Sequence, residues 1–180
     1  MRVTFLALLV LAVLAVTLWR VGRKPADPQA AAATAMLRQK ILTREFIQAA
    51  GPGQPGVPRC VLMDWNIGGA VATVVAFDDG STSLYLSTGG GFIGAGGHEN
   101  VRAAAAEFRT LAASLIRQFQ STDSFPLAPD RSIIFYIVTD STTLTSGPVS
   151  TSAVHRPEHP LFKLEQAAQR VITEIRRARF

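Results

Sequence analysis

A chain of 180 residues has room for one domain and a short extension, and with 48% of its residues apolar it can bury a full core. The formal charge of +5 gathers at the start: residues 1–50 carry seven basic and two acidic side chains, while from residue 59 onward the counts are eleven and eleven. A neutral domain offers no basic groove to a phosphate backbone, which argues against nucleic acid as a partner, and the single cysteine, Cys60, excludes an internal disulfide and a multi-thiolate metal site.

Val3–Trp19 runs for seventeen residues without a charge. As a helix it spans roughly 25 Å, close to the ~30 Å hydrocarbon core of a bilayer, with Trp19 at the interface. Arg20, Arg23 and Lys24 follow at once, against Arg2 ahead of the run, and no small-x-small cleavage site closes it. Residues 1–24 are therefore read as an uncleaved single-pass anchor in the inner (cytoplasmic) membrane, and the positive-inside rule puts the C-terminal domain in the cytoplasm.

Gln29–Ala50 predicts one helix, with Leu37, Ile41, Leu42 and Phe46 at helical spacing and Arg38, Lys40 and Arg44 on a solvated polar face. Gly51-Pro52 stops it, and the run GPGQPGVP at 51–58 reads as a connection. Residues 25–58 are thus a juxtamembrane helix and linker, and 59–180 the folded domain.

Arg59–Trp65 predicts a strand, Asn66–Gly69 a turn, and Ala70–Phe77, apolar on both faces, a central strand. Asp78-Asp79-Gly80 is a hairpin signal. Ser83–Ser87 alternates, with Leu84 and Leu86 on one face. Together these give a three-stranded antiparallel meander. A helix from about His98 to Phe119 carries an apolar stripe through Val101, Ala105, Phe108 and Leu115. Ser132–Thr139 is a further central strand, an edge strand is expected near Thr142–Thr145, and Pro160 suits the first turn of a last helix striped by Leu164, Ala168, Val171, Ile172 and Ile175. The fold class is α+β: a largely antiparallel sheet packed with two long helices, behind an N-terminal transmembrane helix.

Six glycines stand within nine residues, Gly89 to Gly97, between the third strand and the long helix. Gly89, Gly91 and Gly94 have the spacing of a dinucleotide fingerprint, but the preceding strand belongs to an antiparallel meander and the acid that ends the next strand, Asp140, lies far beyond the usual ~20 residues. Gly96 and Gly97 read as structural. Gly89, Gly90, Gly91 and His98 are the candidate ligand- or partner-binding residues, because backbone N–H groups beside a first helical turn can meet an anion or a carboxylate. His155-Arg-Pro-Glu158-His159 spells H-x-x-E-H, but Pro157 and Pro160 forbid the regular helix that would bring both histidines to one metal.

Asp64 on the first strand, Glu107 on the long helix and Asp140 after the next central strand resemble the carboxylate order of ribonuclease H. That resemblance implies a hydrolase holding two Mg²⁺ ions, and it is the alternative reading. Against it, Asp64 and Asp140 read as turn residues and Glu107 as a solvated helix flank. Ser83-Leu-Tyr-Leu-Ser87, the GGGFIG run at 89–94, His98-Glu99 and His159-Pro-Leu-Phe162 look like a group of small uncharacterised bacterial proteins, from which no activity follows. The order helix, hairpin with an Asp-Gly turn, long helix, strand, final helix resembles the roadblock (profilin-like) architecture, whose members act as dimerising scaffolds and regulators of small GTPases. The preferred expectation is a membrane-anchored, non-catalytic interaction or regulatory domain with no cofactor, in the company of a protein partner or as a homodimer.

Overall fold

The computed structural model describes residues 27–54 and 57–178. The expected anchor at 3–19 lies outside them, and among the described residues no helix is long and apolar enough to cross a membrane.

The chain is α+β with an antiparallel sheet. Helix α1 (Pro28–Leu42) starts where Asp27 accepts hydrogen bonds from the Gln29 and Ala30 amides, with proline in the first turn. The single helix expected to Ala50 is broken. Arg44 takes a left-handed conformation, φ 67°, and a short helix α2 (Glu45–Ala49) follows. Strands β1 (Cys60–Ile67), β2 (Ala70–Phe77) and β3 (Thr82–Leu86) form the expected meander, and β4 (Gly91–Phe92) adds a two-residue edge. A 3₁₀ turn leads into α3 (Glu99–Leu115), shorter at its end than expected because a second 3₁₀ turn, Ile116–Gln118, takes over. After β5 (Gln120–Ser121), the second central strand β6 (Ser132–Val138) pairs antiparallel with β1. β7 (Thr143–Thr145) falls where an edge strand was expected. β8 (Val149–Ser150), α4 (Thr151–Val154) and α5 (Phe162–Ala178) complete the chain.

The strand order is β4-β3-β2-β1-β6-β7-β5, with β8 paired to β6 off this path. β1, β2 and β6 are apolar on both faces because both faces are covered. Val61, Met63, Val74, Phe135 and Ile137 look toward the stripes of α3 and α5, including Phe108, Ala112, Val171 and Ile172. Leu62, Val75, Tyr136 and Val138 look the other way, onto Ile41, Leu42 and Ile47 of α1 and α2. The sheet is therefore the middle of three layers. The helical segment next to the expected anchor forms one outer layer.

Candidate functional site

The carboxylates come first, since they would carry any hydrolytic chemistry. Asp64 was expected at a strand end beside a turn. It lies inside the sheet instead, opposite Thr73 of β2 and Ile134 of β6, and is wholly out of water. Alternation decides its face: Cys60, Leu62 and Asp64 share the side covered by α1. There Arg38, expected on a solvated face, is 6% exposed. Its Nη2 donates to Asp64 Oδ2 at 2.6 Å and its Nε at 3.0 Å. The Thr73 hydroxyl donates to Oδ1 at 2.6 Å. Two of the three remaining guanidinium hydrogens go to the carbonyls of Phe125 and Pro126 in the loop before β6, at 2.9 and 3.0 Å. The Tyr136 ring lies 5.4 Å from the cation. Burial pushes the Asp64 carboxyl above its ordinary value, against the pull of Arg38 and Thr73.

Glu107 sits on α3, the layer on the other side of the sheet, where it accepts from Arg170 of α5 at 2.7 Å with both side chains about half exposed. Asp140 follows β6 and accepts from Arg59 Nη1 at 2.5 Å and from the Gly53 amide. The three carboxylates are held apart on three parts of the fold, each by its own arginine. Among the described residues no group of three or more His, Cys, Asp or Glu side chains is placed to hold a metal ion.

Arg59 is itself a junction. Its Nε donates to Asp78 at 2.6 Å and its Nη1 also to the Gly51 carbonyl at 2.8 Å. Burial opposes its charge, but Asp140 and Asp78 more than offset this and hold the guanidinium above its usual value. Arg59 and Asp78 line a shallow cleft of about 540 Å³ with Phe46, Ile47, Phe77 and Asp79.

The glycine run is mostly shaped by contacts within the domain. Gly89 and Gly91 have φ of 96° and 140°. A Cβ on Gly89 would come within 2.8 Å of Ala30 on α1, and one on Gly91 would overlap the Leu84 carbonyl oxygen. Gly89 and Gly90 close the β3–β4 turn, with Gly89 N–H donating to the Leu86 carbonyl and Leu86 N–H to the Gly90 carbonyl. A Cβ at Gly90, Gly94 or Gly97 would meet open space, whereas one at Gly96 would overlap the Gly80 carbonyl oxygen. Just past the turn, Phe92 and Ile93 are 36% and 70% exposed on the outermost strand and its end. His98 precedes α3 in extended conformation, its carbonyl accepting from Arg102 N–H, and it lines a cleft of about 400 Å³ with Glu99, Asn100 and the end of α5. The turn and His98 are thus at opposite ends of the glycine run.

The histidines of the H-x-x-E-H spelling part company. His155 Nε2 meets Glu165 at 3.3 Å, and His159 Nδ1 accepts from the Leu161 amide. The Arg38–Asp64 pair escaped the sequence reading; a charged residue inside the apolar run Val61–Trp65 was its one signal.

No family model, curated protein or solved structure matches this chain. The functional reading rests on the residues themselves.

Proposed function

We propose that the protein is a membrane-tethered, non-catalytic interaction domain that meets its partner through the outer edge of the sheet beside the glycine turn, at Ile93. The observation that carries this reading is Ile93, 70% exposed at the end of the outermost strand of the sheet and beside the glycine turn. The arginine held to each of Asp64, Glu107 and Asp140 supports a non-catalytic role. The uncharged run Val3–Trp19 and the three cations after it support a tether in the inner membrane with the domain on the cytoplasmic side. Seven residues, 20–26, stand between that run and Asp27, at most ~25 Å of chain.

The proposed occupant of the edge is a second copy of the chain. A short strand can pair with its twin about a two-fold axis, and confinement to one bilayer raises the effective concentration enough for a small contact to suffice. This agrees with the dimerising role implied by the roadblock-like order of elements.

Cysteine cross-linking in membranes tests the reading. Cys60 is buried and is the chain's single cysteine, so Ile93→Cys supplies the reactive thiol. A short bis-maleimide should give a dimer with Ile93→Cys and none with Gln120→Cys on the opposite edge. Adducts of some other mass would name a different protein as occupant, and no adduct at position 93 would remove this edge as the contact.

A further inference from the structure

After β6 and its short partners, residues 149–160 cross one flank of α5 as a strap. Val149 and Ser150 pair with β6, and Val154 is fully buried in the core cluster that includes Leu164, Ala168 and Ile172. The polar contacts under the strap are poor. Glu165 of α5 is 3% exposed, and its side-chain partner among the described residues is the His155 imidazole. One helical turn further along α5, Gln169 is 8% exposed, and neither end of its amide has a hydrogen-bond partner among the described residues. One turn before His155 on the strap, the buried Thr151 hydroxyl has none either. Buried groups without partners oppose closure, while the strand pairing at 149–150, the buried Val154 and the His155–Glu165 contact favour it.

We propose that His155 and Glu165 form a proton-operated latch: the protonated imidazole tightens the strap on α5, and loss of that proton loosens it and gives the buried Thr151 hydroxyl access to water. The other charged groups nearby do not take the place of His155. Arg156, Glu158 and Lys163 are exposed, as is the outer part of His155 (37% of its side chain), but it is the His155 imidazole that meets Glu165. His159 is engaged by the Leu161 amide. On the β6 side, Arg131 takes part through its carbonyl, which accepts from Thr151 N–H, while its side chain is 91% exposed beside Asp130.

The sign follows from linkage. The hydrogen bond and charge of Glu165 hold the closed-state imidazole above its ordinary value, against burial. The latch therefore contributes fully below the ordinary histidine value of about 6.5 and loses its contribution as pH rises through the higher closed-state value.

Hydrogen exchange on the full-length chain in detergent tests this, at pH 5.5 and 8.5 with intrinsic exchange rates divided out. Amides 151–156 should lose protection several-fold at the higher pH, while the middle of α5 is unchanged. Glu165→Gln, which keeps a hydrogen-bond acceptor without the charge, should be equally protected at both values. His155→Gln, which leaves the buried carboxylate without its cation, should be equally open at both. A pH-independent strap in the unaltered protein, or the same loss in His155→Gln, would overturn the latch. If His155→Gln does not fold, the imidazole titration of the unaltered chain decides: a midpoint at or below 6.5 overturns the proposal.

Discussion

Arg38 and Asp64 stand 26 positions apart in the chain and meet at 2.6 Å between the first helix and the middle of the sheet, with side chains 8% and 0% exposed. This pair joins α1, β1, β2 through Thr73, and the loop before β6 through two carbonyls. Tyr136 adds its ring below and its hydroxyl to the Pro126 carbonyl at 2.8 Å. A cation and an anion out of water are tolerable only because nearly every lone pair and N–H is used.

Removing one partner should therefore be far worse than removing both. Arg38→Met and Asp64→Leu each leave a buried group unpaired and should cost about 3–5 kcal/mol. Arg38→Met with Asp64→Leu should recover most of that loss, since an apolar pair of similar volume fits between Leu62, Val75 and Tyr136. Urea denaturation of the four proteins gives the coupling energy directly; additive losses in the double variant would show that the two sites act independently.

The glycine run divides by contact. Gly91→Ala and Gly96→Ala force a methyl into the carbonyls of Leu84 and Gly80, so each should lower stability by about 2 kcal/mol or more. Gly90→Ala meets open space but keeps φ of 81°, so it should cost about 1–2 kcal/mol. Gly97→Ala meets neither obstacle and should be neutral or slightly stabilising, by up to ~1 kcal/mol. A melting scan of these alanine variants reads the pattern, and a uniform loss across all four would contradict it.

Cys60 reports on the sheet from inside. It pairs with Phe77 and Val138, is 0% exposed, and burial pushes its thiol well above the ordinary range. Iodoacetamide should modify the native protein at least about a hundredfold more slowly than the urea-unfolded chain, because the thiolate forms only after opening. Rapid native alkylation would mean that β1 frays at its start.

What the sequence made legible was what local rules govern. The apolar run Ala70–Phe77, the alternation in Ser83–Ser87 and the Asp79-Gly80 turn placed the meander, and the stripes from Val101 and from Leu164 placed the two long helices. The two-residue strands β4, β5 and β8 are too short for any pattern. Arg38 looked solvated because its partner is remote in sequence, and Asp64 looked terminal because Asn66–Gly69 follows closely. The break at Arg44 gives no local signal of its own: the left-handed residue is held by a guanidinium bond to the Ser141 carbonyl across the fold. Of the candidate site residues, glycine identity foretold the special backbone at 89–91. It could not foretell that Gly89 packs on α1, because that approach exists only once the outer layer has docked.

The outer layer yields the last prediction. Ile41, Leu42 and Ile47 are 0–3% exposed against Leu62, Val75, Tyr85, Tyr136 and Val138. Without residues 27–54 these strand residues face water, at roughly 1.5–3 kcal/mol for each large side chain laid bare. Asp64 also loses its cation, and Thr143 Oγ1 loses the Leu42 carbonyl to which it donates at 2.8 Å. Domains of this size are stable by about 5–15 kcal/mol in all, so the sum exceeds what the fold can lose. A chain of residues 59–180 should show no cooperative melting and should bind a hydrophobic dye, whereas residues 27–180 should melt in one transition. A synthetic peptide spanning 27–54, added in trans, should restore part of that transition, and the same peptide carrying Arg38→Met should not. A sharp melt of 59–180 alone, at the temperature of the longer chain, would show instead that α1 and α2 rest on a domain already complete.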